Sequence, residues 1–160
     1  MKHIVGVADM KIASAAGDVL VTHALGSCLG VAVYDPAAGV GGLLHVMMPQ
    51  ASINEEKARS NPYMFVDSGV PAFFQQLYAA GAVKGRCVVV VAGGSNIHGG
   101  PEDRFAIGKR NHLMLRKLFW KNGILVKAED VGGTEPRTMY LEIGTGRTWL
   151  STAGQERQLS

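Results

Sequence analysis

Leu29-Gly30-Val31-Ala32-Val33-Tyr34, then Asp35-Pro36-Ala37-Ala38-Gly39, then Val40-Gly41-Gly42-Leu43-Leu44-His45-Val46-Met47-Met48-Pro49 is the stretch on which the fold turns. Two apolar runs are joined by a five-residue turn holding Pro and Gly, which reads as a β-hairpin. With the turn centred near Ala37, facing residues carry numbers that sum to about 73 or 74. Cys28 then stands opposite His45 within one position. Opposed side chains on one sheet face have Cβ atoms about 4.5–5.5 Å apart, close enough for an imidazole nitrogen to reach a sulfur. That geometry needs the register with the sum of about 73, and it needs Cys28 on the strand and not on a turn before it.

Outward from the hairpin, β-branched content and alternation predict strands near 3–8, 19–23, 86–91, 124–129, 138–143 and 147–151, punctuated by glycine or proline. The helical period predicts amphipathic helices over roughly 68–80, with Val70, Phe73, Phe74, Leu77 and Tyr78 on one stripe, and roughly 104–121, with Ile107, Met114, Leu115, Leu118 and Phe119. Asp67 or Ser68 is the expected N-cap of the first, with Pro71 in its first turn, and Asn122-Gly123 ends the second. Residues 49–62 read as a long polar loop, and loops of that length are often functional. The layout is α+β, with one domain expected over residues 1–154 and a flexible polar tail over 155–160.

Composition narrows the function. The chain carries 16 Lys and Arg against 13 Asp and Glu, scattered without runs of like charge, which argues against a nucleic-acid surface. Two cysteines, Cys28 and Cys87, do not make a disulfide framework and suit a reducing cytoplasm. Asp9 and Lys11 interrupt the segment where an export signal would be apolar, and no stretch is long enough for membrane insertion. The histidines at 3, 23, 45, 98 and 112 lack zinc-ligand spacing, so no metal is expected. Ala92-Gly93-Gly94-Ser95-Asn96-Ile97-His98-Gly99-Gly100 holds the position of a phosphate loop but lacks its Gly-Lys-Ser/Thr ending, so no nucleotide is expected either.

The chemistry concentrates in Thr22-His23-Ala24-Leu25-Gly26-Ser27-Cys28, a thiol bracketed by small residues that let other backbone approach. Taken alone, a cysteine or a histidine in an apolar strand is usually core filler, as Cys87 is expected to be. Together they make a nucleophile and its base, because pairing with an imidazolium lowers a thiol pKa and supplies the thiolate. Cys28 is the candidate nucleophile and His45 the candidate base; Thr22 is the best nearby hydroxyl to orient the imidazole, because the Gly26-Ser27 turn could fold it back beside the pair. Backbone N–H groups of Gly26, Ser27 and Cys28 are candidate oxyanion donors.

These segments resemble the chemoreceptor glutamine deamidase family, CheD, from about Thr22 to Trp149. The resemblance is carried by Leu25-Gly26-Ser27-Cys28, Tyr34-Asp35, His45-Val46-Met47-Met48-Pro49, Gly93-Gly94, Ile107-Gly108-Lys109-Arg110-Asn111, Glu129-Asp130-Val131-Gly132-Gly133 and Thr145-Gly146. It implies Cys28 and His45 as the catalytic pair with Thr22 in support. It also implies hydrolysis of glutamine side-chain amides on methyl-accepting chemoreceptors without a cofactor, and a layered α/β fold around mixed β-sheets, similar to glutamine-deamidating toxins. Implied partners are the receptor's cytoplasmic helices and a CheC-type phosphatase. The family often has Phe-Gly-Gly-Ala where this chain has Ala92-Gly93-Gly94-Ser95, and Gly93, Gly94 and Ser95 are the partner-binding candidates. Two other readings stay open from sequence: a non-catalytic chemotaxis adaptor, and another Cys-His hydrolase or transglutaminase-like enzyme with a different substrate.

Overall fold

A computed structural model describes residues 1–97 and 106–160. Its strands are β1 (Lys2–Ile4), β2 (Asp9–Ala13), β3 (Val19–Leu25), β4 (Leu29–Asp35), β5 (Val40–Val46), β6 (Val88–Gly93), β7 (Ala128–Val131), β8 (Arg137–Glu142), β9 (Thr148–Thr152) and β10 (Gln155–Gln158). Its α-helices are α1 (Glu55–Ser60), α2 (Val66–Ala79) and α3 (Ile107–Lys121). The strands form two mixed five-stranded sheets, ordered β1-β3-β8-β9-β10 and β2-β5-β4-β6-β7.

The alternation of β4 explains the layering. Leu29, Val31 and Val33 share one apolar cluster with Val66, Val70, Phe73 and Leu77 of α2 and Leu115 and Phe119 of α3. Ala32 and Tyr34 share the other cluster with Leu20 of β3, Met139 and Leu141 of β8 and Leu150 of β9. A strand with a side chain on each face every second residue can bury both only if both are covered. Helices cover one face of the β4 sheet and the second sheet covers the other. This is an α+β fold, with α2 and α3 as its two main amphipathic helices.

The hairpin forms, in a different register. Gly30 faces His45 and Asp35 faces Val40, so paired numbers sum to 75, and Cys28 lies in a bend before β4. The loop is shortened to four residues because Asp35 stays in the strand. Its carboxylate is fully buried, accepts from the Val83 N–H at 2.8 Å and pairs with Arg86 at 2.9 Å.

Other expectations shift as well. Residues 49–62 contain α1, capped by the Asn54 side chain on the Lys57 N–H at 3.1 Å. The N-cap of α2 is Phe65; Asp67 instead accepts from the Ala51 N–H at 2.7 Å, and Ser68 donates to the Pro62 carbonyl at 2.7 Å. Pro71 is therefore inside α2, beyond its first turn. The polar end, expected as a tail, is β10, paired with β9 from Gln155 opposite Thr152 to Gln158 opposite Trp149. Its side chains are exposed and its backbone completes a sheet edge, a pairing that composition does not signal. Residues 104 and 105 of the expected second helix lie outside the described residues, as do His98, Gly99 and Gly100 of the glycine-rich loop.

Candidate active site

β3 and β4 are consecutive in the chain but belong to different sheets, so Gly26-Ser27-Cys28 is the link by which the backbone crosses from one sheet to the other. Cys28 therefore sits at the seam, half-buried against the cluster between the sheets. Gly30, two residues on, is the ladder partner of His45, and on the other side of His45 the partner is Asp9 of β2. Asp9 accepts from the Met10 N–H at 2.8 Å. A Cβ on Gly30 would stand 2.9 Å from Leu25 Cδ1 and from Met139 Sδ, so the residue beside the imidazole must be glycine unless those side chains move.

Across the seam, Thr22 of β3 meets His45 of β5. The Thr22 hydroxyl lies 2.7 Å from His45 Nδ1 and donates to the Val5 carbonyl at 2.8 Å, and both side chains are fully buried. A hydroxyl has one hydrogen, and a carbonyl can only accept. With that hydrogen committed to Val5, the contact with Nδ1 requires Nδ1 to carry the proton. The tautomer is thereby set, and Nε2 is left with a bare lone pair. Nε2 is buried and has no hydrogen-bond partner among the described residues, so the expected imidazole–sulfur bond is not made in this state.

Burial governs the titration of both groups. It pushes the Cys28 thiol above its ordinary value, an effect opposed by the hydrogen bond from the residue's own N–H, and it pulls the His45 imidazole down to about 4. The resting pair is a neutral thiol and a neutral imidazole, not the thiolate–imidazolium pair expected from the sequence. A neutral imidazole whose Nε2 has no partner among the described residues can accept a proton there.

The turn is clamped from behind by the diglycine. The Gly94 N–H donates to the Cys28 carbonyl and the Ser95 N–H to the Gly26 carbonyl, both at 2.9 Å. Gly93 has φ +111, and a Cβ there would collide with the Cys28 carbonyl oxygen, so only glycine allows this approach. Gly93, Gly94 and Ser95, expected as partner-binding residues, are largely buried and hold the cysteine turn in place, while Gly94 and Ser95 also line a surface cleft with Lys109 and His112. Arg137, itself buried, braces this clamp by donating to the carbonyls of Gly93 at 3.2 Å and Gly132 at 2.6 Å and to Asp130 at 3.1 Å. Of the expected oxyanion donors, Gly26 is committed to the Ala24 carbonyl at 2.9 Å, while the N–H groups of Ser27 and Cys28 make no backbone hydrogen bond among the described residues.

Sequence reasoning quoted Asn111 only as the end of a family motif and gave it no role in the site. Its buried amide donates to the Ser27 carbonyl and to the Met47 carbonyl, each at 2.9 Å, tying the turn before β4 to the end of β5. A lone polar residue amid the apolar stripe of α3 was the available signal. Cys87 lies apart, its Sγ donating to the Val83 carbonyl at 3.3 Å. Among the described residues no three His, Cys, Asp or Glu side chains gather as a metal site, and no helix is long and apolar enough to cross a membrane.

A sequence model for the family described as CheD chemotactic sensory transduction matches residues 47–152. That span begins after Thr22, Cys28 and His45, which are covered by likeness to individual proteins. Over 156 residues, 98% of this chain and 92% of the relative, the sequence is 49% identical to a protein of Solibacter usitatus named "Probable chemoreceptor glutamine deamidase CheD". A protein of Syntrophus aciditrophicus with the name "Probable chemoreceptor glutamine deamidase CheD 1" is 46% identical over 151 residues, 94% of each chain. A third, "Probable chemoreceptor glutamine deamidase CheD 2" of Anaeromyxobacter dehalogenans, is 39% identical over 153 residues, 94% of each chain.

Proposed function

Because the chain belongs to the CheD family of chemotactic sensory transduction proteins, we propose that it hydrolyses glutamine side-chain amides of chemoreceptors to glutamate, with Cys28 as nucleophile and His45 as base. The observation that carries this reading is the Thr22–His45 contact, which leaves Nε2 as a buried, unprotonated and unpartnered base beside the turn that bears the only thiol at the seam.

The proposed reaction begins when the glutamine carboxamide covers the sulfur and the thiol proton passes to His45 Nε2. The thiolate then bonds to the amide carbon. Negative charge moves to the carbonyl oxygen, for which the N–H groups of Ser27 and Cys28, neither of them committed to a backbone carbonyl among the described residues, are the proposed donors. Collapse breaks the carbon–nitrogen bond, the proton on Nε2 goes to departing ammonia, and a thioester remains. His45 then takes a proton from water, hydroxide adds to the thioester, and glutamate leaves as the Cys28 thiol is restored. Thr22 keeps the imidazole in one tautomer through both halves. No step calls for a metal or cofactor.

The substrate assignment rests on the names of the relatives, and a CheC-type phosphatase is retained as a proposed partner on the resemblance of the sequence alone. The localisation proposed is the cytoplasm, where receptor signalling helices are found. Mass spectrometry of a glutamine-bearing receptor cytoplasmic fragment, incubated with wild type and with Cys28→Ala, tests the reading. Glutamine converted to glutamate by the wild type alone is the expected result. Equal conversion by both proteins would remove Cys28 from its role, and conversion by neither would favour a binding-only adaptor.

A further inference from the structure

Three buried side-chain polar atoms lack a hydrogen-bond partner among the described residues: His45 Nε2, Ser95 Oγ and Asn111 Oδ1. Ser95 and Asn111 both hold the cysteine turn, Ser95 through its backbone N–H on the Gly26 carbonyl and Asn111 through its side chain on the Ser27 carbonyl. Both donors of the Asn111 amide are spent on backbone carbonyls that flank the site, those of Ser27 and Met47. Its orientation is not ambiguous. Both neighbours at 2.9 Å are carbonyl oxygens, and only the NH₂ end of the amide can face two acceptors.

The Ser27 carbonyl and the Cys28 N–H belong to one planar trans peptide unit, in which C=O and N–H point in opposite directions. Holding the carbonyl fixes the N–H. Resting on the thioester mechanism above, we propose that Asn111 is a positioning residue that aims the Cys28 N–H at the oxygen developing negative charge. Its second N–H, on the Met47 carbonyl two residues past His45, locks the nucleophile's turn to the strand of the base, so donor, sulfur and imidazole hold a common frame. A misdirected oxyanion donor weakens acyl transfer, in which charge builds on oxygen. It leaves alkylation of the sulfur unaffected, since no oxyanion forms there.

The test compares both reactions in Asn111→Leu, which keeps the volume and removes the donors, and in Asn111→Asp, which sets carboxylate oxygens against two carbonyls. Deamidation of the receptor fragment gives kcat and KM; iodoacetamide at a pH where the Cys28 thiolate is fully formed gives the alkylation rate, with Cys87→Ala in every protein to leave one thiol. Thermal unfolding by circular dichroism identifies the variants that are folded. The expected result for a folded variant is kcat lowered tenfold to a hundredfold, KM within threefold and alkylation within twofold of the parent. Unchanged kcat overturns the proposal, as does a loss of alkylation equal to the loss of kcat, which would make the residue a support for the sulfur itself. If neither variant folds, Asn111→Ser, which retains one donor, must show the same split or the proposal falls. Failure of the parent protein to deamidate any glutamine refutes the underlying function, and the inference falls with it.

Discussion

Thr22→Val exchanges the γ-hydroxyl for a methyl of nearly equal volume, so its effect isolates two hydrogen bonds. The hydroxyl accepts from His45 Nδ1 at 2.7 Å and donates to the Val5 carbonyl at 2.8 Å inside a fully buried seam. Removing it strands one donor and one acceptor, each costing about 1–3 kcal/mol where water cannot substitute, so stability should fall by about 3 kcal/mol. At roughly 2–4 °C per kcal/mol for a chain of this size, the melting temperature should drop by roughly 6–12 °C. The catalytic loss has a separate origin. A neutral hydrogen bond worth about 1–1.5 kcal/mol biases the tautomer about tenfold, and freedom of the ring removes more, so kcat should fall about tenfold to a hundredfold with little change in KM. Receptor-fragment deamidation is measured by mass spectrometry at a temperature where circular dichroism shows the variant folded, with Thr22→Ser as the control that keeps the hydroxyl. Wild-type kcat in Thr22→Val, or equal impairment in Thr22→Ser, would refute the tautomer argument.

The pH behaviour follows from burial. His45 titrates near 4 in the folded chain against an ordinary 6.5, so it binds its proton less readily folded than unfolded, and stability should decline as pH falls from 6.5 towards 4. For the same reason the acid limb of kcat/KM should lie near 4, while iodoacetamide should react with resting Cys28 slowly at neutral pH and titrate above the ordinary thiol value of 9.0; an alkylation midpoint below 7 would contradict a neutral resting pair. Asp35, held at about 2 against 3.8 chiefly by Arg86, contributes stability that is present above about pH 4 and lost as pH falls through 2. Asp35→Asn puts an NH₂ group against donors and should lower the melting temperature by roughly 5 °C at pH 7 while abolishing that acid dependence, which thermal scans at several pH values would show. Gly93→Ala meets the Cys28 carbonyl oxygen at a φ of +111, so it should cost more than about 2 kcal/mol and lose most activity even where folded; a fully active, wild-type-stable variant would mean that the clamp is not needed.

The strands around the turn were legible in the sequence because alternation and turn chemistry are local. Leu29–Asp35 and Val40–Val46 form nearly where the pattern places them, and α2 and α3 follow their apolar stripes. β2 and α1 were not legible: Asp9-Met10-Lys11-Ile12-Ala13 is too polar to announce a strand, and the six residues of α1 bury no side chain that would produce a stripe. The residue types of the site, Cys28, His45 and Thr22, were readable from their unusual neighbours and from the family likeness, and the relatives bear out the family.

What the sequence by itself determined is therefore the hairpin, the two main helices and the chemistry available at one turn. Tertiary structure decided how they meet. The register with the sum of 75 depends on Asp35 remaining in its strand, and its ligands Val83 and Arg86 lie 48 and 51 positions away. The exit of the chain from one sheet into the other at Gly26-Ser27-Cys28 brings Thr22 to His45, and Asn111 reaches Ser27 from 84 positions away. Whether the pair rests charged or neutral was settled by burial, which exists only after both sheets have closed over the seam. Local propensity carries no term for contacts at such separations, and the desolvation that sets both pKa values is a property of the assembled fold.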